Sequence, residues 1–294
     1  MCNIDSRGGE KPALVKRTIM GRRNDVVSDA ACSLALTDDF LSHVPNSSAG
    51  AETTSTTMAW WMLAMVAHPE MQSRAHAKLD AVVGRGRVPT FADYPHLPYV
   101  RAMVKEVLRW RPTTPFAAPH QTTEDDWYEE MFILKGTICI PNVWHMNHDP
   151  EIYGDSAAIF DPARYLDKAG GGTESSPSDV KEEGHVTYGF GRRVCVGRYM
   201  ANNSLFIEIA MMLWATNIER KTDGSGRPLP LDVDGFVDHG IVVSARLTLY
   251  LRVDGWLTCG CFCCRRPSPF ECEISPRFPE AHALLAQERE LRGL

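Results

Sequence analysis

"YGFGRRVCVG", residues 188–197, sets Cys195 in a loop with three glycines and two arginines, just ahead of a long apolar run. A cysteine that only packs favours a dry, neutral pocket, whereas this one sits amid positive charge and flexible backbone. A thiolate is a strong ligand for a soft or borderline metal and needs help to stay ionised. Arg192 and Arg193 adjoin it in sequence, and the positive end of a helix beginning near Gly197 faces the sulfur. Gly189, Gly191 and Gly197 let the backbone approach a large flat group and turn amide N–H groups toward the sulfur.

The bulk properties bound what such a loop belongs to. The chain has 294 residues, 44% apolar and 23% charged, which suits a globular protein with a sizeable core. A net charge of -6 gives no global signal for nucleic acid. No apolar run reaches the roughly 18 residues of a membrane span, and the N-terminal "MCNIDSRGGEKPALVKR" lacks the apolar centre of a signal peptide. Of nine cysteines, five fall within residues 259–272 and four (Cys2, Cys32, Cys139, Cys195) are far apart, which is not a secreted disulfide framework and points to a reducing compartment.

Element signals are mostly helical. "VVSDAACSLALTDDFL" reads as one helix, broken by "SHVPNSS". "AGAETTSTTMAWWMLAMVA", from Ala49, turns from small and polar to apolar on a helical face. "HPEMQSRAHAKLDAVVG" is a second helix with Pro69 at its start and Gly84 past its end, and "YVRAMVKEVLRWRP" is a third, stopped by Pro112. Residues 116–141 read as short strands and turns, "LKGTICIP" being the clearest strand, and "KAGGGTESSPSD" as a surface loop or linker. "RYMANNSLFIEIAMMLWATNIER" is one long helix with apolar positions at Met200, Leu205, Ile209, Met212 and Leu213, Trp214 belonging to the core. The expected fold class is mainly α with minor β.

With no partner cysteine or histidine at finger spacing, Cys195 cannot build a four-ligand zinc site. It can supply the single axial ligand of a haem iron, whose other four ligands come from the macrocycle. A buried free cysteine is the plain alternative, and the glycines and arginines argue against it. A dinucleotide loop fits less well, because the glycines do not match G-x-G-x-x-G and no strand pattern leads into them.

The stretch resembles the haem-binding signature F-x-x-G-x-R-x-C-x-G of the cytochrome P450 family, with Tyr188 in place of phenylalanine. Other family elements follow in order. Glu106 and Arg109 in "KEVLR" match E-x-x-R, an i,i+3 pair on one helix face; "FDPARY" resembles P-x-R-F, so that Arg164 completes a structural Glu106–Arg109–Arg164 network bracing the cysteine loop. An ordinary surface ion pair is the plain alternative. "AGAETT" resembles the oxygen-binding helix motif: Thr53 would sit over the haem and Glu52 beside it, a hydroxyl and an acid on a locally opened helix that relay protons for dioxygen activation. A polar, capping helix start is the alternative reading. By the same resemblance Arg193 serves one haem propionate and His120 another, a turn histidine being the competing reading of His120; Phe116 and Ala117 would face the haem. His145 and His148 are read as surface or packing residues.

The resemblance implies the C-terminal half of the cytochrome P450 fold, over roughly residues 49–243 and again near 266–294. The expected organisation is a poorly matched segment 1–48, a haem-binding catalytic core 49–243, a suspected insertion 244–265 of translated-intron type, and a tail 266–294 of the same domain. "GIVV" would read well joined to "RPSPFECEISPRFPEA", and the junction before Ala49 reads as a gene-model or splice error. The "CGCFCC" run has no second spaced pair for zinc or iron–sulfur binding, though a cysteine-rich metal or adaptor site is a third reading.

The implied function is haem-dependent insertion of one oxygen atom from O2 into a small apolar organic substrate. Electrons would come from NADPH through an NADPH–cytochrome reductase, docked on a basic surface that includes Arg192 or Arg198. The full-length parent would face the cytosol from the endoplasmic reticulum membrane; this chain shows no anchor or signal peptide of its own. The rival is a non-catalytic truncated fragment that carries the motifs without binding haem productively.

Overall fold

The computed structural model describes residues 48–166, 183–240, 250–253, 256–259 and 263–291. The helix expected within 1–48 and the loop at 168–179 lie outside them.

Helix α1, Ser48–Ala67, is the axis of the fold. From Met58 onward it is apolar nearly all round, and Trp60, Trp61, Leu63, Ala64 and Met65 are buried, as expected of a helix with no polar face to offer water. Helix α2, Pro69–Val82, carries Pro69 in its first turn and is closed by Gly84 at φ +71, whose N–H reaches the Leu79 carbonyl at 3.1 Å. Helix α3, Pro98–Trp110, buries Tyr99, Val100, Met103, Val104, Val107, Leu108 and Trp110. It ends where Pro112 pushes Arg111 out of the helical region, to φ -135 and ψ 75. Trp110 anchors an aromatic cluster, edge-on to Trp60 at 6.2 Å and to Phe160 at 5.4 Å.

The strands are short and paired in twos. β1, His120–Gln121, pairs with β4, Ile138–Cys139, and β2, Asp126–Tyr128, with β3, Met131–Ile133, both antiparallel. Within "LKGTICIP" only Ile138–Cys139 is strand, because Gly136 at φ +87 turns the chain before it. Helices α4, Val143–Asn147, and α5, Pro150–Tyr153, and a 3-10 turn at Pro162–Tyr165 follow.

Helix α6, Arg198–Ala215, stops short of the expected Arg220. Residues Thr216–Arg220 form strand β5, paired antiparallel with β10, Cys272–Pro276. Two forces override helix propensity there. Gln72 on α2 donates its side-chain amide to the Ile218 carbonyl and accepts the Ile218 N–H, both at 2.8 Å, completing the strand's other edge. Arg277 meets the Leu213 and Trp214 carbonyls at 3.3 and 3.2 Å, which closes the helix end. Leu205, Ile209, Leu213 and Trp214 are buried as expected, but Met200, in the first turn, is 61% exposed.

β6, Phe236–Gly240, pairs with β9, Cys263–Pro267, and β7, Tyr250–Val253, with β8, Trp256–Cys259; α7, Ala281–Leu291, closes the chain. β9 begins at Cys263, so a boundary at 265–266 falls inside a strand. Arg265 is tied into the core by backbone: its carbonyl accepts Trp60 Nε1–H at 2.8 Å, and its N–H donates to Thr113 at 2.8 Å. Residues 241–249, 254–255 and 260–262 lie outside the described ones. The architecture is mainly α with minor β, the strands forming five two-stranded ribbons among the described residues.

Candidate functional site

The site is built on a buried ion-pair network. Glu106 and Arg109, one turn apart on α3, are both fully buried. Arg109 grips Glu106 through a fork, Nε to Oε2 and an Nη to Oε1, each at 2.8 Å. Its remaining N–H groups reach the carbonyls of Asn147 (2.7 Å), Ala157 (2.6 Å) and Ile159 (3.1 Å). Arg164 joins Glu106 at 3.1 Å and holds the carbonyls of Tyr153, Ser156 and Ile159. The three residues expected to meet do meet, and the sequestered fork is far from an ordinary surface pair.

Asn147, which the sequence reading passed over, carries this network to the cysteine loop. Its Oδ1 accepts the Val186 N–H and its Nδ2 donates to Thr187 Oγ1, both at 2.9 Å; Thr187 Oγ1 in turn donates to the Leu108 carbonyl at 2.6 Å. Neighbouring His145 is exposed, while His148 stacks on Trp144 at 4.2 Å.

The loop then delivers Cys195. Gly189 and Gly191 lie at φ +73 and +58, a left-handed backbone that L side chains resist. Gly197 has an ordinary φ of -84, and a Cβ there would stand 3.9 Å from the Cys195 sulfur, so it leaves room beside the sulfur. The Cys195 N–H donates to the Tyr188 carbonyl at 2.9 Å, and the exposed thiol lies just ahead of the amino end of α6. Tyr188 uses the hydroxyl that phenylalanine lacks: it donates to Asn202 Oδ1 at 2.8 Å, and Asn202 donates to Glu183 at 3.0 Å.

Arg192 and Arg193 are exposed. Burial first, and the Arg193 charge second, lower the His120 pKa to about 4, so a neutral imidazole lies within electrostatic reach of the Arg193 guanidinium. Ala117 and Phe190, from the two segments, pack on the same small core of Val143, Met146, Tyr153, Ala157 and Val186.

On α1 the expectation of a locally opened helix is not met: the helix runs unbroken from Ser48 to Ala67. The Thr53 hydroxyl turns back to the Gly50 carbonyl at 3.5 Å and that of Thr57 to the Thr53 carbonyl at 2.8 Å, supplementing the backbone ladder instead of displacing it. Glu52, 2% exposed, is ion-paired to Arg266 of β9. Arg266 lies 214 residues away with no local signal in the sequence.

These residues fit a haem. The donor set is one exposed soft thiol with exposed Val196 next to it and exposed Met200 five residues on, the exposed Arg193 guanidinium to meet an acidic group, and the His120 imidazole in that cation's electrostatic reach. Among the described residues no group of three or more His, Cys, Asp or Glu is placed to hold a metal ion by itself. The side chains of Cys259, Cys261 and Cys263 lie outside the description.

Comparison with known proteins agrees. The family model described as Cytochrome P450 matches residues 42–232. A cytochrome P450 monooxygenase of Armillaria gallica is 54% identical over 288 residues, covering 98% of this chain and 50% of that protein. Cytochrome P450 monooxygenase 58 of Postia placenta is 47% identical over 238 residues, covering 81% of this chain and 40% of its own. A zebrafish cytochrome P450 solved with abiraterone superposes with a TM-score of 0.59 at 28% identity, over 79% of this chain and 46% of that one. The chain spans about half the length of the curated relatives it matches. It belongs to the cytochrome P450 family.

Proposed function

We propose that the chain is the haem-thiolate part of a monooxygenase that inserts one oxygen atom from O2 into a small apolar organic substrate. The carrying observation is the exposed Cys195 thiol, on a loop held through Asn147 by the buried Glu106–Arg109–Arg164 network. In this reading Cys195 would ligate the iron, the Arg193 guanidinium would pair with one propionate and the neutral His120 imidazole would hydrogen-bond the other, and Gly189, Gly191 and Gly197 would shape the loop around the sulfur. Bound there, haem supplies the oxygen-activating chemistry. The protein's own share is to hold the thiolate, exclude water, and move protons at the oxygens of Thr53 and Glu52. Support comes from the family membership and from relatives named as monooxygenases.

Electrons would arrive from NADPH through a reductase docking on the basic side of the loop at exposed Arg192. Among the described residues no helix is long and apolar enough to cross a membrane. We assign the longer parent protein to the cytosolic face of the endoplasmic reticulum. We propose residues 49–243 as the haem-binding core, 1–48 as a poorly matched segment, 244–265 as an insertion and 266–294 as the tail of the same domain.

The test is a carbon monoxide difference spectrum of the reduced, haem-supplemented chain beside Cys195→Ser. The red-shifted Soret band of thiolate ligation, lost in the variant, is expected. No band, or one that survives the substitution, rejects the reading in favour of a fragment that carries the motif without the site.

A further inference from the structure

Arg111, the first residue past α3, is a buried cation with most of its hydrogen-bonding capacity unused. It is 6% exposed, and its guanidinium lies against three indoles, 4.2 Å from the ring centre of Trp110, 5.2 Å from Trp144 and 5.4 Å from Trp60. Among the described residues only one of its nitrogens has acceptors: an Nη donates to the Val233 carbonyl at 3.1 Å and to Asp234 Oδ1 at 2.6 Å. Its Nε is buried with no acceptor. Burial lowers the Arg111 pKa, the Asp234 carboxylate raises it back in part and the Arg109 charge lowers it further; a guanidinium stays charged nonetheless. The Asp234 side chain is 92% exposed, so the pair has one end in water and is of the weak, readily exchanged kind.

Beside this guanidinium lies a cavity of about 100 Å³, walled by Trp60, Trp144 and Phe236 and reached by Arg111, Asp234 and Arg265. Arg265 lies over the Phe236 ring at 3.9 Å and adds a second positive charge to the lining. An apolar cavity of about 150 Å³ holds a benzene, so this one, open where Asp234 and Phe236 are exposed, seats most of one ring. We propose that the cavity binds a small aromatic carboxylate, its ring among Trp60, Trp144 and Phe236 and its carboxylate in the place of Asp234 on Arg111. Flat aromatic walls match a flat ring. A ligand carboxylate is free to turn both oxygens to the guanidinium fork, where Asp234 reaches one Nη. None of the lining residues belongs to the cysteine loop, and Trp60 stands seven residues, roughly 10 Å of helix, along α1 from Thr53. Binding there does not require haem.

Calorimetric titration of sodium benzoate into the haem-supplemented chain tests this, with benzamide as the neutral analogue of the same shape. Benzoate should bind with a Kd of about 1–10 mM, as so small a ligand allows, and benzamide at least about tenfold more weakly, because it brings no charge to Arg111. Equal binding of the two, or no heat from benzoate well above that range, overturns the proposal. Asp234→Ala removes the competing carboxylate at an exposed position and should tighten benzoate binding roughly two- to fivefold, the worth of an exposed ion pair. Unchanged or weaker binding overturns the exchange on which the site rests. Arg111→Leu should abolish binding. Binding that survives it, or benzoate that shifts the wild-type Soret band in step with the heat, places the ligand elsewhere and overturns the proposal. Should the leucine variant not fold, Phe236→Ala removes one exposed wall and should weaken benzoate binding several-fold, and an unchanged affinity there has the same meaning.

Discussion

Asn147 accepts the Val186 N–H at 2.9 Å while its own carbonyl accepts from Arg109 at 2.7 Å, so one residue links the buried arginine to the strand of chain that enters the cysteine loop. Val186 is buried, and removing its acceptor strands an N–H away from water. Asn147→Ala should therefore cost about 1–3 kcal/mol. Calorimetry should show a midpoint roughly 2–12 °C lower, at about 2–4 °C per kcal/mol. The haem-loaded variant should also lose its thiolate band faster on standing. A midpoint within 1 °C of wild type would remove Asn147 from the path.

Arg109 is bound at every nitrogen, to Glu106 and to three carbonyls from 147–159. Lysine cannot reproduce that fork. Arg109→Lys should behave nearly as badly as Arg109→Ala, each losing about 3–5 kcal/mol because a buried carboxylate and several carbonyls are stranded. Urea unfolding midpoints decide it: a lysine variant within 1 kcal/mol of wild type would show that charge alone suffices.

Four histidines are held neutral, His76, His120 and His148 with pKa values lowered to about 4 and His185 to about 3, burial being the largest cause in each. The unfolded chain takes up protons below the ordinary 6.5, while the folded chain resists until about 4. Stability is thus complete above pH 6.5 and falls as pH drops toward 4, with a slope of roughly 1.4 kcal/mol per pH unit for each proton of difference. Unfolding free energy measured between pH 7 and 5 should decline, and His185→Asn should lessen the slope by about one proton. A slope unchanged in that variant would contradict the burial argument for His185.

Arg87 grips Asp93 with two bonds of 2.8 and 2.6 Å, and the Thr90 N–H donates to the same carboxylate at 2.8 Å. The Arg87 hydrogen bond is the largest cause lowering the Asp93 pKa to about 2. Asp93→Asn should cost about 1 kcal/mol at neutral pH, mostly through the lost charge-assisted bonds to Arg87, since the amide oxygen can still accept the Thr90 N–H. That deficit should vanish as pH falls from about 4 to 2 and the wild-type carboxyl is itself protonated. The exposed Lys221–Glu271 pair is the control: Lys221→Ala should leave the thermal midpoint unmoved.

What the sequence made legible was local. The i,i+3 spacing of Glu106 and Arg109, the bracketing of α2 by Pro69 and Gly84, and the glycines around Cys195 can each be read within one turn of chain. What escaped depends on partners distant in sequence. β5 is strand because Gln72 and β10 satisfy its edges, and nothing within "TNIER" announces either. Arg266 reaches Glu52 across the fold, and the helix expected to open at Thr53 stays closed because its hydroxyls bond back onto their own ladder. Asn147 gives no local signal, because its role lies in backbone and side-chain groups far along the chain.

The Gln72 amide does more than secure β5. A side chain that both gives to and takes from Ile218 mimics one residue of a missing third strand, and it occupies the edge where a foreign chain would otherwise pair. Helix α2 thus acts as a guard against edge-to-edge aggregation of the β5–β10 ribbon, and Gln72→Ala would open that edge to templated association.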